Sequence, residues 1–417
     1  MADVLRQRAQ AHLLALDVDA LLLSKPESFT WATGAPAGVA SLFRRAAAAM
    51  ALVPTDASQP VAAVVTELFS DPARAALGDG QVRTHPDWVE TADIRAGLER
   101  EPGASITSLV QRAHAASRRP PGFRRPAAFD TRIALGEMAA LLRERGWTTS
   151  RIGLDMDFWP VVDFFALQDA LPRVQWVDAS AAVSAIKAVK SPREITCLTQ
   201  AASLAEAGMR RAISSAKEGM TRDAIAAAWK SGVADEVHRT GAAINGQWEY
   251  VTVGPLPWQG GGTLGRGDVL KFDVGCLVDG YSSDSGRTFV AGAPGQRTRG
   301  IMDALEDAFA AGLEVLRPGC LLSDVHARAS QAMHSAGFTT FSRGHFGHSL
   351  GRDTFCEMPP FIAAEAHVPI EPGMVLAFET PVYVDGEGGF IIEDQFLITK
   401  AGARPAWSLP RQLIALR

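Results

Sequence analysis

The stretch Gly267-Asp268-Val269-Leu270-Lys271-Phe272-Asp273-Val274-Gly275, continued by Cys276-Leu277-Val278-Asp279-Gly280-Tyr281-Ser282-Ser283-Asp284, decides the reading of this chain. Asp279-Gly280 signals a two-residue hairpin turn between two runs rich in Val, Leu, Phe and Tyr. In such a hairpin, directly opposed residues differ by an odd number and side chains alternate faces, so Asp273 and Asp284 share a face. Two converging carboxylates repel each other, and one gains proton affinity unless a cation neutralises the pair. The spacing therefore points to a divalent metal or a dyad sharing one proton; two acids flanking a solvated turn are the alternative.

Two further segments extend this pattern. His345-Phe346-Gly347-His348-Ser349-Leu350-Gly351 places imidazoles in a glycine-rich run where backbone can approach a ligand closely. Met374-Val375-Leu376-Ala377-Phe378-Glu379-Thr380 and Gly389-Phe390-Ile391-Ile392-Glu393-Asp394-Gln395-Phe396-Leu397-Ile398 read as apolar strands that each embed an acid, and an acid in such a strand needs a partner. A loop of about five residues around Asp385-Gly386-Glu387-Gly388-Gly389 would put Glu379 and Glu393, an even number apart, on one face. Asp273, Asp284, Glu379, Glu393 and a neutral His348 then carry a formal charge of about −4, which two divalent cations balance; oxygen-rich ligation favours Mn, Fe, Co or Zn.

Around this core the chain reads as two domains. Its 417 residues, 47% hydrophobic and 21% charged, exceed what one domain usually holds. Residues 1–180 show an α/β texture: helical spacing over 1–17, strand candidates Ala20–Leu23, Ala48–Val53, Val61–Val65 and Ile152–Leu154, and a helix over Leu135–Arg145. At Lys190-Ser191-Pro192-Arg193-Glu194 the texture changes, with Ser191 an N-cap, Pro192 at N1 and Glu194 at N3 of an Ala-rich helix. Residues 181–417 then alternate helices, near Arg222–Arg239 and Thr298–Leu316, with acid-bearing hairpins, an α+β arrangement. A net charge of −5 offers no basic field for nucleic acid or anionic membrane. No run of about 18 apolar residues appears, and the four cysteines, dispersed outside any CxxC spacing, fit a reducing cytoplasm.

The hairpin resembles the pattern D-x-G-x(4)-G-Y-x-S-D-x-x-R-T of the creatinase, aminopeptidase P, prolidase and methionine aminopeptidase family, met by Asp273, Gly275, Gly280, Tyr281, Ser283, Asp284, Arg287 and Thr288. The family's G-H-x-x-G falls on Gly347 to Gly351, and its last two glutamates on Glu379 and Glu393. The likeness covers roughly residues 180–405. It implies a C-terminal domain of pita-bread fold and five metal ligands, Asp273, Asp284, His348, Glu379 and Glu393. Ser28-Phe29-Thr30-Trp31-Ala32-Thr33-Gly34 is similar to a segment of the creatinase-type N-terminal domain, which places the chain on the longer, two-domain branch.

What the resemblance implies is a metallohydrolase of Xaa-Pro peptidase type, in which metal-activated hydroxide attacks a peptide or amide bond of a small substrate while Glu379 carries the proton. A homodimer is also implied. Three departures fall near that chemistry: Leu256-Pro257-Trp258 lies where a histidine is usual, Cys356 stands for a second histidine, and Ile391 for an arginine. His345, offset by three residues from His348, and Cys356 are the remaining candidates for catalytic help, with Trp248, Tyr250, Trp258 and Phe346 as candidate pocket walls. The departures keep other functions open: a creatinase-like C–N hydrolase, a lyase resembling dimethylsulfoniopropionate lyases, or a non-catalytic metal-binding homologue.

Overall fold

The structure, a computed structural model, describes residues 3–117, 122–258, 261–353 and 357–416. The chain divides into two compact units, Met1–Ala182 and Val183–Arg417, against the expected boundary at 180/181.

In the first unit, strands β1 (Ala20–Leu23), β2 (Met50–Pro54), β3 (Ala62–Thr66), β4 (Val82–His85), β5 (Arg151–Leu154) and β6 (Gln175–Asp178) form one sheet in the order β4-β3-β2-β1-β5-β6. β1 runs antiparallel to β2 and parallel to β5. Every residue of β1, β2 and β3 is buried, as expected of strands covered on both faces. The helix expected from Leu135 starts earlier, at Thr131, because the Asp130 carboxylate caps it by accepting from the Arg132 and Ile133 amides.

The second unit opens on the helix Pro192–Ser215, where Ser191 and Glu194 form the reciprocal capping box read from the sequence. Thirteen strands follow among the described residues: β7 (Gly246–Glu249), β8 (Thr252–Val253), β9 (Val269–Val278), β10 (Tyr281–Ser282), β11 (Ser285–Ala291), β12 (His345–Ser349), β13 (Met358–Ala363), β14 (Val375–Glu379), β15 (Val382–Val384), β16 (Gly388–Phe390), β17 (Glu393–Thr399), β18 (Gly402–Pro405) and β19 (Ile414–Leu416). The main sheet runs β10-β9-β11-β17-β14-β12-β13, while β15 and β16 pair by themselves. This is the pita-bread fold expected for the unit.

Register decides where the acids go. Val278 pairs with Tyr281, so the first hairpin closes on Asp279-Gly280; both have positive φ, +51° and +74°, as a type I′ turn requires. The second hairpin departs from expectation. Val384 pairs with Gly388, which leaves a three-residue loop, 385–387, rather than about five. Both lengths are odd, so the parity survives and Glu379 pairs directly with Glu393. The run Gly389–Ile398 is also not one strand: it breaks at Ile391-Ile392, where the Thr288 hydroxyl accepts from the Ile391 amide at 2.7 Å and donates to its carbonyl at 3.0 Å, replacing a ladder bond.

Arg287 ties these strands together from within. Its buried guanidinium donates to the Glu393 carbonyl at 2.6 Å, the Asp394 carboxylate at 2.6 Å, and the carbonyls of Gly286, Leu409 and Pro410. Replacing it leaves the fully buried Asp394 with Arg411 alone as charge partner and four strand or loop carbonyls short of a donor. Arg287→Ala should therefore cost about 3–5 kcal/mol, read as a fall in the denaturant midpoint of the second unit; a loss under about 1 kcal/mol would contradict this role.

Candidate metal centre

Across the sheet, Asp273 on β9 pairs with Gly286 on β11, Gly286 with Glu393 on β17, and Glu393 with Glu379 on β14. These residues form one row perpendicular to the strands, and paired residues present side chains to one face. Asp284 precedes Gly286 by two positions and shares that face. His348 on β12 pairs with Ala377, two positions before Glu379, and so joins them. Asp284, His348 and Glu393 bring one donor atom each to within 4.8 Å of one another, and all three are buried.

His348 and His345 differ by an odd number, which in a regular strand would send them to opposite faces. The pairing of β12 with β13 is bulged between them, and Gly347 there has φ +138°. His345 consequently places Nδ1 3.6 Å from Glu379 Oε1 and Nε2 3.7 Å from Glu357 Oε2. His348 Nε2 lies 3.5 Å from Asp284 Oδ2, while its Nδ1 lies 3.1 Å from the Ser349 carbonyl. Only a protonated Nδ1 can donate there, so Nε2 is the nitrogen that faces the acids, where it can hold a proton against Asp284 or, with a cation in that proton's place, offer the lone pair a metal-binding imidazole needs.

The electrostatics of the group fit a cation. Burial raises the Glu393 carboxyl well above its ordinary range, and the neighbouring charges of Asp284, Glu379 and Asp273 raise it further. Burial opposes charge on His348, yet the hydrogen bond and charge of Asp284, with Glu379 behind it, raise its ring to about 9. Both shifts report one demand: positive charge among these side chains, as a proton or, better matched to the donors, a divalent cation. His345 is shifted the other way, lowered by burial.

Asp273 and Glu379 are placed differently from the other expected ligands, since each touches a basic side chain. Lys271 Nζ lies 3.2 Å from Asp273 Oδ2, and Arg343 Nη2 lies 2.9 Å from Glu379 Oε1. Neither base was singled out in the sequence. Lys271 was legible there, because the alternation that pairs Asp273 with Asp284 puts a residue two positions earlier on the same face. Cys356, a catalytic candidate by sequence, lies outside the described residues. Ile391, where an arginine was expected, is buried and packs over Gly286: a Cβ at Gly286 would fall 2.8 Å from Ile391 Cγ2. Of the candidate pocket walls, Trp258 is exposed and stacks on Tyr383, with ring centroids 4.0 Å apart, and Trp248 packs near Tyr250. Phe346 is a correction. It is fully buried against His326 and Phe341 in the core, because the bulge turns it away from the histidines beside it.

Residues 196–400 match the family model for metallopeptidase family M24. Among curated proteins, the chain is 28% identical over 280 residues to a putative dipeptidase, YkvY, of Bacillus subtilis, covering 66% of this chain and 76% of that one. It is 26% identical over 268 residues to an Xaa-Pro dipeptidase of Lactobacillus helveticus, covering 63% and 71%. Among solved structures, an Xaa-Pro dipeptidase from Bacillus anthracis superposes with a TM-score of 0.75 over 99% of both chains at 18% identity. Hairpin motif, fold and matched segment agree, and residues 196–400 belong to metallopeptidase family M24, in the group that holds the prolidases and creatinase. The chain is a metallohydrolase by that membership, in a family whose members use divalent metals.

The glycine at the bulge gives this geometry a direct test. A Cβ at Gly347 would lie 2.0 Å from the Ala377 carbonyl oxygen, and φ +138° is strained for any L side chain. Gly347→Ala should destabilise the second unit by about 2 kcal/mol or more and loosen divalent-metal affinity, measured by calorimetric titration, because His348 shifts with β12. Unchanged stability and affinity would show that the strand does not hold His348 in place.

Proposed function

We propose that this chain hydrolyses the peptide bond of short Xaa-Pro substrates, with divalent metal held by Asp284, His348 and Glu393 and with Asp273 and Glu379 flanking it. One observation carries this reading: three buried donors of the right types, His348 from β12, Glu393 from β17 and Asp284 from the connection that leads into β11, converge on the face that also carries two further acids. Bound divalent metal would supply Lewis-acid polarisation of the scissile carbonyl and a nucleophilic water near neutral pH. The remaining work falls to the chain's own side chains. Glu379, with one oxygen fixed by Arg343 and His345 beside it, is positioned as the proton carrier. His345, beside both Glu379 and Glu357, can orient a substrate oxygen in the place of the histidine missing at Leu256-Pro257-Trp258.

Manganese is the proposed metal, with cobalt, iron and zinc as chemically close alternatives for one imidazole among carboxylates. A homodimer and a cytoplasmic location complete the proposal; the first is carried over from the family resemblance and the second is supported by the dispersed cysteines.

Two measurements test it. Protein stripped by chelator and reloaded with Mn²⁺ or Co²⁺ should cleave Xaa-Pro dipeptides, and Asp284→Ala should lower kcat/KM at least about a hundredfold, matching the several kcal/mol that metal contributes. A metal-loaded protein inert on every such peptide would overturn the substrate assignment. Chelation should also lower Tm by about 5–10 °C relative to protein in metal at roughly a hundred times its Kd; a Tm indifferent to chelator would deny a metal bound only by the folded chain.

A further inference from the structure

The five expected donors invite two metal ions, because four carboxylates and a neutral imidazole carry four negative charges. The structure adds two cations to that group. Lys271 sits on β9 two positions before Asp273, on the same face, with Nζ 3.2 Å from Asp273 Oδ2. It is not a surface lysine that swings aside: its residue is 3% exposed, its Nζ lies 5.4 Å from the centre of the Tyr383 ring, and its stem runs so close to Gly389 that a Cβ there would be 3.3 Å from Lys271 Cδ. Arg343 is tied as well, with Nη2 2.9 Å from Glu379 Oε1 and Nε donating to the His345 carbonyl at 2.6 Å.

The donors therefore fall into two classes. Asp273 and Glu379 each face a protein cation. Asp284, His348 and Glu393 are the three whose donor atoms cluster within 4.8 Å. Two of the four negative charges are answered by Lys271 and Arg343, and the two that remain match one divalent cation. A second ion bound through Asp273 would have to sit beside a buried ammonium in a site with little water to screen the repulsion. The packing around the Lys271 stem gives the ammonium no solvated position to retreat to.

We infer that this chain holds a single tightly bound divalent cation at Asp284, His348 and Glu393, and that the Lys271 ammonium, against Asp273, takes the place of a second ion. The inference rests on the metal-dependent reading above and specifies its stoichiometry. Asp273 is then a positioning residue that anchors Lys271 beside the metal, and the site presents a fixed protein cation to a substrate where a dinuclear site would present a second metal.

The test uses the full chain, stripped with chelator, titrated with Mn²⁺ by calorimetry and counted by elemental analysis after desalting, with the Mn²⁺ electron paramagnetic resonance spectrum recorded on the loaded protein. The expected result is one ion per chain with the spectrum of an isolated Mn²⁺ free of exchange coupling. Asp273→Asn should retain one ion per chain, with a weakening from the unpaired Lys271 ammonium that stays well short of His348→Ala, which should weaken binding at least about a hundredfold. Lys271→Met should admit a second ion. Two ions in the native chain, or loss of the tight ion in Asp273→Asn, would overturn the inference while leaving the metallohydrolase reading intact; no tight ion in the native chain would overturn both. A Lys271→Met protein that still holds one ion would refute the role given to Lys271, and should that variant fail to fold, the native chain and Asp273→Asn decide the stoichiometry.

Discussion

Four carboxylates on one buried face of a sheet cannot all be ionised without positive charge among them, and the second unit of this protein is organised around that constraint. A pair of like charges 4 Å apart costs about 4 kcal/mol at the effective dielectric of a protein surface. A few such pairs rival the 5–15 kcal/mol by which a whole domain is stable. The unusual environments here answer this problem: Lys271 against Asp273, Arg343 against Glu379, and a proton or a metal among Asp284, His348 and Glu393.

The sheet makes this concentration of charge geometrically rigid. Asp273, Gly286, Glu393 and Glu379 lie in a single row across four strands, so their spacing is set by backbone hydrogen bonds rather than by flexible loops. Arg287 reinforces the row from the interior, where one guanidinium bonds the carbonyls of Gly286 and Glu393 and the carboxylate of Asp394. Gly286 supplies the one gap in the row, and Ile391 fills it from the adjacent segment. An apolar residue thus stands where a charged one was expected, and among the described residues Lys271 and Arg343 bring positive charge to the donors.

Much of this was legible before any coordinates, because parity in a strand is a strong rule. The two-residue turn at Asp279-Gly280 and the odd-length loop after Val384 place Asp273 with Asp284 and Glu379 with Glu393, even though the second loop is shorter than expected. Parity failed where the strand is irregular. The bulge at Gly347 brings His345 beside Glu379 and turns Phe346 into the core, and no periodicity in His345-Phe346-Gly347-His348 announces a bulge. Lys271 obeys the alternation that placed Asp273 and was passed over only because it is not a ligand type. Arg343 could not have been found that way, since it reaches Glu379 from outside any strand.

The account stands on the convergence of Asp284, His348 and Glu393 around cationic charge. The most direct measurement is a crystal structure of the Mn²⁺-loaded protein with data collected on both sides of the manganese absorption edge. The account predicts an anomalous peak about 2.0–2.3 Å from donor atoms of all three side chains. Full metal in solution with no peak at these residues, or a peak held by other side chains, would contradict it.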